Sequence, residues 1–285
     1  MIDLHIHSNH SDGQCSVKQI LEMAEQLKLS HISITDHEFI SAYDELASLD
    51  VAKLYGGKII TGVELSTNYN GHLIHVLGYG FDVAKLSKSN LVSRENFDKN
   101  FYAKLLTQYK KIAKKLNLKF NDNLTRTHFA PDHTLYFEMI KYPENKPIFE
   151  NFGIVHKGHY YWDHIRNPKS PFYVDLLKYI PTFAEVAGAI RDAGGLLVLA
   201  HPDKAIAEQF AQSGDFDGFE CMHRTFTKEY SDYLVKLCKK NKLLVTGGSD
   251  YHGYPVEKLG YVFYGEGQVS ENFAKDFLSR VGGDK

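Results

Sequence analysis

The sequence predicts an α/β fold, a barrel of parallel strands carrying one inserted subdomain. Short apolar strands alternate with amphipathic helical stretches along most of the chain. Nearly every predicted strand ends in a histidine or a carboxylate, and one central stretch breaks the alternation. The 285 residues are enough to bury a large core, so one domain with an insertion is the expected organisation.

The first third of the chain alternates strands with helices from its first residues. The predicted strands cover residues 2–6, 31–35, 58–64 and 73–78. Ser16, followed by Gln19 three positions later, forms a capping box that predicts a helix to about Leu27. A second helical stretch, rich in Ala, Glu and Leu, follows the second strand. The turn sequence at residues 68–71 separates the last two strands.

Residues 87–173 interrupt this pattern and predict a mainly helical and irregular insertion that covers the active-site face. Its first part, residues 87–117, is helical in pattern and strongly charged. Its second part, residues 118–173, is rich in Tyr, Phe, His and Asn and holds five of the eight prolines. The barrel domain is therefore predicted to comprise residues 1–86 and 174–285.

The alternation resumes after the insertion. Thr182 is a suitable cap for a helix over residues 183–193, and a second helix is predicted over residues 228–241. The predicted strands cover residues 195–200, 218–221 and 243–247. Strands that alternate with helices form parallel βαβ units, and this number of units favours a barrel.

Composition narrows the class of protein. The formal charge is −2, so the chain has no global basic field and avid non-specific binding of nucleic acid is not expected. Three cysteines form neither a disulfide framework nor a zinc motif, and we interpret Cys15, Cys221 and Cys238 as structural. No signal peptide, membrane span or obligate protein partner is predicted. The expected location is the cytoplasm.

The histidines and acids at the strand ends predict a metal site. The candidate ligands are His5, His7, Asp12, His37, Glu64, His75, His201, Asp250 and His252. In a parallel barrel the carboxyl ends of the strands converge on one face, so ligands far apart in sequence can meet. A single strand-end histidine is more often a hydrogen-bonding loop residue, but burying this many ionisable groups without a cation would be costly. Their number exceeds the needs of one ion.

Five motifs, in order along the chain, resemble those of the PHP (polymerase and histidinol phosphatase) superfamily. They are Asp3–Ser8, Thr35–His37, Gly62–Glu64, Ala200–Pro202 and Gly248–Gly253. The resemblance covers most of the chain. It implies a distorted (β/α)7 TIM-like barrel with a trinuclear centre of three divalent ions, Mn, Fe or Zn.

The resemblance also implies how the ligands divide among the three ions. The first ion is held by His5, His7, Glu64 and Asp250. The second is held by His75, His201 and Glu64, and Glu64 bridges the first and second ions. The third is held by Asp12, His37 and His252. All nine positions carry the residue type that the family pattern requires.

The implied activity is hydrolysis of a phosphomonoester, of the nucleotide class, by a metal-bridging hydroxide. Ser11-Asp12-Gly13 resembles the stand-alone bacterial branch that contains nucleoside 3′,5′-bisphosphate phosphatases and enzymes that trim short RNA. The histidinol-phosphate phosphatase branch has a different element there. An exonuclease on short oligonucleotides, a histidinol-phosphate phosphatase, an amide or C–N hydrolase and a non-catalytic metal-binding module remain alternatives.

Further residues are candidates for contacts with the substrate. Arg126 lies in a stretch that resembles a phosphate-binding segment of the family, although Pro131 replaces its second arginine. The loss of one bidentate phosphate donor favours a singly phosphorylated nucleotide. Arg224 is a second candidate phosphate ligand, and His223 a candidate general acid. Glu220 is a candidate to orient a metal-bound histidine.

Overall fold

The computed structural model describes residues 1–281 and divides the chain into two compact units. Unit 1 comprises residues 1–93 and the chain from residue 181 onward, and unit 2 comprises residues 94–180. The insertion predicted at residues 87–173 overlaps unit 2 but begins and ends earlier in the chain. Among residues 1–281, no helix combines the length and the apolar character needed to cross a membrane.

Unit 1 contains all eight strands of the described residues. They are β1 (Ile2–Ile6), β2 (His31–Ile34), β3 (Lys58–Ile59), β4 (Gly62–Tyr69), β5 (His72–Tyr79), β6 (Leu196–Leu199), β7 (Gly218–Met222) and β8 (Leu244–Gly247). They form a parallel three-stranded sheet, β1-β2-β3, and a mixed five-stranded sheet, β4-β5-β6-β7-β8. Isolated bridges from Ile6 to Tyr251 and from His37 to Glu64 link the two sheets. The fold is thus mixed α/β, with two linked sheets.

Residues 1–281 contain thirteen α-helices. They are α1 (Val17–Gln26), α2 (Ala42–Ser48), α3 (Val51–Leu54), α4 (Val83–Leu86), α5 (Arg94–Phe97), α6 (Ala103–Lys115), α7 (Pro131–Met139), α8 (Lys146–Asn151), α9 (Lys157–His159), α10 (Phe183–Asp192), α11 (Lys204–Phe210), α12 (Lys228–Asn241) and α13 (Lys275–Val281). Helices α5 to α9 belong to unit 2, which is built from helices, turns and irregular segments.

The predicted helix caps are confirmed. The hydroxyl of Ser16 accepts a hydrogen bond from the Gln19 amide, and the Gln19 side chain accepts one from the Ser16 amide. Thr182 and Glu185 form the same capping box at the start of α10. Each box satisfies two amide groups that the helix itself leaves without partners, so local sequence fixes where these helices begin.

Two strand predictions need correction. The strand expected at residues 58–64 is two strands, because the chain changes sheet there: β3 pairs with β2, whereas β4 pairs with β5. Parallel pairing holds within β1-β2-β3 and β6-β7-β8, but β5 runs antiparallel to both of its neighbours. Asn70 and Gly71 cause this reversal, because their φ angles of 50° and 86° form the two-residue turn that a tight hairpin requires.

The core of unit 1 lies on the apolar faces of the sheets. Leu4, Val63, Leu77 and Val198 are fully buried in its main cluster. A second cluster forms where the apolar face of α1 packs against β1 and β2. Together these contacts fix the strand ends from which the polar side chains project.

Candidate metal centre

The polar side chains predicted at the strand ends converge in unit 1. His5 belongs to β1 and His7 follows it, Glu64 lies in β4, and His75 lies in β5. The loops after β2, β6 and β8 supply the remaining histidines and Asp250. The alternation of His5 and His7 about Ile6 places both imidazoles on one side of the strand, as the sequence predicts.

Glu64 is the centre of this cluster, and its side chain is fully buried. Five imidazole nitrogens surround its two carboxylate oxygens. They are His75 Nδ1 and His201 Nε2, each 3.0 Å from Oε1, and His5 Nε2, His7 Nε2 and His37 Nδ1, at 3.1, 3.2 and 3.2 Å from Oε2. Residues separated by up to 196 positions in the sequence thus meet at one carboxylate.

Asp250 is the second carboxylate of the cluster. Its Oδ1 lies 3.2 Å from His7 Nε2, 3.5 Å from His5 Nε2 and 3.6 Å from His252 Nδ1. The backbone of Asp250 has φ +50°, a left-handed conformation that a non-glycine residue rarely adopts. Such strain persists only where surrounding contacts impose it, and it is concentrated at functional sites.

Asp12 extends the cluster from the loop after β1. Its Oδ1 lies 3.3 Å from His252 Nε2 and 3.9 Å from His37 Nε2. One ligand atom from each of these three residues and one from His7 lie within 4.8 Å of one another. The structure therefore brings all nine predicted ligands together around Glu64, Asp250 and Asp12.

Several buried polar atoms in the cluster lack a hydrogen-bond partner within residues 1–281. They are both ring nitrogens of His7, Oδ1 of Asp12 and Nε2 of His223. Nε2 of His7 lies 3.2 Å from oxygens of both Glu64 and Asp250, yet it is not aligned with either for a hydrogen bond. Donor atoms that converge without pairing are the arrangement a cation between them needs, and imidazole with carboxylate suits Mn, Fe or Zn. The residues present fit a metal centre.

The electrostatics of the cluster are strongly coupled. Burial alone would raise the pKa of Glu64, but the imidazoles around it, His37 foremost, hold that pKa well below its usual range. Burial disfavours a charged His5, yet the carboxylates of Glu220 and Glu64 raise its pKa well above the usual value. For His37 burial dominates and lowers the pKa to about 3. Opposite shifts in adjacent groups are typical of functional sites.

Glu220, on β7, contacts two of the histidines of the cluster. Its Oε1 lies 2.9 Å from His5 Nδ1, on the opposite side of the ring from Glu64. Its Oε2 accepts a hydrogen bond of 2.8 Å from the His201 amide. A carboxylate that holds the outer nitrogen of a metal-ligating histidine fixes the orientation of that ring, which is the role the sequence predicts for Glu220.

His223 and Arg224, predicted as the catalytic and phosphate-binding pair, both contact Asp250. Nε2 of His223 lies 3.3 Å from Oδ2 of Asp250, and Nε of Arg224 lies 3.1 Å from the same oxygen. The Thr225 amide donates to Nδ1 of His223 at 3.3 Å, and the Thr225 hydroxyl oxygen lies 2.8 Å from the same nitrogen. Nη1 of Arg224 lies 3.3 Å from Oε1 of Glu257.

Arg126, the other predicted phosphate ligand, belongs to unit 2 and has protein partners there. Its Nη1 pairs with Asp98, and its Nε donates to the His128 carbonyl at 3.3 Å. The guanidinium also lies 4.8 Å from the centre of the Tyr102 ring and within 6 Å of the Phe97 and Phe129 rings. These contacts stabilise the fold of unit 2, and phosphate binding by Arg126 stays a prediction.

Three acidic residues support the site but are absent from the predicted set. Glu257 binds Arg224 and also accepts a 2.7 Å hydrogen bond from the His252 amide. Asp36 accepts hydrogen bonds from Ser8 and Ser11 in the loop that carries Asp12. Asp3 accepts from both the amide and the hydroxyl of Ser249 and so holds the loop that carries Asp250. An aspartate inside the apolar strand β1 is a signal that could have identified Asp3.

Comparisons with known proteins find several relatives of this chain. A model of the PHP domain matches residues 3–145. A 5′-3′ exoribonuclease of Haemophilus influenzae is 30% identical over 270 residues, which make up 88% of this chain and 89% of that protein. A 3′,5′-nucleoside bisphosphate phosphatase of Chromobacterium violaceum is 24% identical, covering 88% of this chain and 87% of that protein. A solved structure from Bifidobacterium adolescentis, proposed to be a metal-dependent phosphoesterase, superposes with a TM-score of 0.65 at 22% identity and covers 98% of this chain and 96% of that one.

Proposed function

Because this chain belongs to the PHP domain family and is a metal-dependent phosphoesterase, we propose that its substrate is a phosphomonoester of the nucleotide class. The observation that supports metal-dependent chemistry is the convergence of five imidazole nitrogens on the buried carboxylate of Glu64. The similarity to a 3′,5′-nucleoside bisphosphate phosphatase supports the nucleotide class. We interpret the two linked sheets as the distorted seven-unit barrel that the family resemblance implies.

Three divalent ions, Mn, Fe or Zn, would be held by overlapping sets of side chains. His5, His7, Glu64 and Asp250 would hold the first; Glu64, His75 and His201 the second; and Asp12, His37 and His252 the third. When bound, such ions supply a nucleophilic water at neutral pH and neutralise charge on the phosphoryl oxygens. No serine or cysteine nucleophile is then required.

The residues around the ligands perform the remaining tasks. Arg224 presents a guanidinium beside Asp250 and would bind a non-bridging phosphate oxygen. His223, whose Nε2 lies 3.3 Å from Oδ2 of Asp250, would in its imidazolium form donate the Nε2 proton to the leaving oxygen of the nucleoside, which leaves the neutral ring. Its side chain is 4% exposed, so bulk water would not compete for this proton. Glu220 would orient His5, and Glu257 would orient Arg224.

The proposed phosphate ligands fit a nucleotide that carries a single phosphate group. Pro131 occupies the position where the family segment has a second arginine, and Arg126 is paired with Asp98. Restoring arginine at Pro131 should therefore improve turnover of a nucleoside 3′,5′-bisphosphate more than turnover of AMP. Equal effects on the two substrates would contradict this assignment of the segment.

The experiment that tests the metal assignment measures metal content as well as turnover. Asp250→Ala should abolish phosphate release and lower the manganese bound per chain, while circular dichroism shows a folded protein. Asp163→Asn, at an exposed position of unit 2, is the matched control and should change neither quantity. Near-normal turnover by Asp250→Ala would overturn the assignment.

A second candidate activity is hydrolysis of short RNA from its 5′ end. The Haemophilus influenzae relative named as a 5′-3′ exoribonuclease favours it. The same ligand set could hold ions for cleavage of a phosphodiester. Product analysis separates the two activities, because an exonuclease releases mononucleotides from RNA whereas a phosphatase releases inorganic phosphate and leaves the chain intact.

A further inference from the structure

The two units of the chain carry opposite net charges. Unit 2 has 15 Lys and Arg against 9 Asp and Glu, a net charge of +6. The rest of the chain has 18 against 26, a net charge of −8. The overall charge of −2 therefore conceals a basic unit. A basic patch confined to one part of a protein is the electrostatic footprint of a polyanionic partner.

The positive charge of unit 2 is concentrated on and next to helix α6. Residues 99–119 contain seven lysines and no acidic residue. Lys104, Lys111 and Lys115 are separated by seven and four positions, which places them within about 20° of one line along the helix. We call these three residues the α6 lysine face. By the helical rise it extends over about 16 Å.

The lysines of the face differ from the other lysines of α6 in their partners. Lys114 forms an ion pair with the Asp122 carboxylate, and Lys110 donates to the Asp122 backbone carbonyl. All three lysines of the face are exposed, and Lys104 contacts only the amide oxygen of Asn100. Neither Lys111 nor Lys115 has an acidic partner among the residues that the structure describes. Within residues 1–281, the face thus presents three cations without an acidic partner.

The opposite side of α6 leaves no apolar surface on this helix for insertion into a membrane. Leu105, Leu106, Tyr109 and Ala113 are buried in unit 2. A helix that lies in a membrane surface inserts its apolar face between the lipids, and here that face is already occupied by the protein core. What remains is a row of point charges without an apolar contribution. Such a row suits a flexible phosphate backbone.

We propose that the α6 lysine face binds the phosphate backbone of single-stranded RNA. This goes beyond hydrolysis of a mononucleotide, since it assigns unit 2 a binding role for nucleotides that are not being cleaved. Lysine contacts to successive phosphates carry no sequence information, so binding is independent of base and strongly dependent on salt. Binding can be measured without turnover, and its failure is therefore distinguishable from failure of the proposed activity.

The test is fluorescence anisotropy of a 3′-labelled decaribonucleotide with the full chain in the presence of EDTA. The charge-removed variant is Lys104→Gln/Lys111→Gln/Lys115→Gln, since glutamine keeps the helix propensity of lysine. The matched control is Lys146→Gln/Lys169→Gln/Lys178→Gln, which removes the same charge from exposed positions of unit 2 outside α6. Anionic phosphatidylserine vesicles are assayed in parallel.

We expect the α6 variant to bind RNA at least about tenfold more weakly at 50 mM salt, and the control to bind nearly as well as the parent chain. The slope of log K against log salt should fall in magnitude by about 2, because each single-strand contact contributes about 0.7. Phosphate release from AMP should be unchanged in both variants. Equal losses in the two variants, absence of RNA binding by the parent chain, or preferential binding of vesicles would each overturn the proposal.

Discussion

Oε1 of Glu220 lies 2.9 Å from Nδ1 of His5, with both side chains buried, and directs Nε2 of that ring towards Glu64. A ligand atom therefore points into the cluster because a second residue, on another strand, holds the far side of its ring. Asp3 and Asp36 act in a similar way, because each holds a loop that carries a predicted metal ligand.

Replacing Glu220 tests this support directly. Glu220→Gln keeps the size of the side chain but removes the charge that holds the His5 ring. We expect manganese affinity to fall by roughly 10–100-fold, the usual cost of losing such a partner, while the protein stays folded. Titration against a competing fluorescent chelator measures the affinity, with exposed Glu229→Gln as the control. Unchanged affinity would mean that the cluster does not depend on the orientation of His5.

Arg224 should act on substrate binding rather than on metal binding. Arg224→Ala removes a charged hydrogen bond to phosphate, and the KM for a phosphomonoester should rise by roughly 10–100-fold. Arg224→Lys should recover only part of this loss, because an ammonium group cannot replace the planar guanidinium geometry. Steady-state kinetics at saturating manganese measures the effect. A large fall in kcat with unchanged KM would contradict the role proposed for Arg224.

Glu257 should act on the substrate through Arg224. Its carboxylate contacts the Arg224 guanidinium and the His252 amide, and its side chain is 5% exposed. Glu257→Ala should raise KM in the parent chain but have little further effect on KM in the Arg224→Ala background. Such a double-mutant cycle separates a positioning role from an independent one. Additive effects on KM would show that Glu257 does not work through Arg224.

Asp132 gives a pH-dependent prediction for unit 2. It is buried at the start of α7, its Oδ2 has no hydrogen-bond partner within residues 1–281, and burial raises its pKa to about 6. Because this pKa exceeds the unfolded value of about 3.9, the folded state binds the proton more tightly. The free energy of unfolding therefore falls as pH rises from about 4 to 6.

Asp132→Asn removes this cost without changing the shape of the side chain. We expect a gain in the free energy of unfolding of about 2–3 kcal/mol at pH 7.5, and of about 1 kcal/mol near pH 4.5. Urea unfolding followed by fluorescence of Trp162, the single tryptophan and part of unit 2, measures both values. Exposed Asp163→Asn should show no such difference. A gain that does not change with pH would exclude ionisation of Asp132 as the cause.

The sequence predicts the ligands of the site better than the shape of the sheet around them. His5 and His7 are recognisable because strand alternation places both on one side, and the caps at Ser16 and Thr182 are local signals with local consequences. The antiparallel direction of β5 also has a local cause, the Asn70–Gly71 turn. The prediction missed it because the alternation of strands and helices elsewhere in the chain favours parallel strands.

Support from residues distant in sequence could not be predicted in this way. Glu257 contacts Arg224 only because the loop after β8 folds back, with the Glu257 amide bonded to the Tyr254 carbonyl. No periodicity or motif in the sequence indicates that this loop folds back. For Arg126, the sequence identifies a cation but not Asp98, which lies 28 residues earlier in the chain and satisfies it in the fold. Long-range pairing of charges depends on packing that single-sequence patterns do not encode.

The most direct test of the central claim is phosphate release by the purified chain with and without manganese. The substrates are AMP, a nucleoside 3′,5′-bisphosphate, histidinol phosphate and a short 5′-phosphorylated RNA. We predict manganese-dependent release from AMP that EDTA abolishes and that exceeds release from histidinol phosphate. No release from any of the four substrates, with manganese shown to be bound, would contradict the assignment of this chain as a nucleotide phosphomonoesterase.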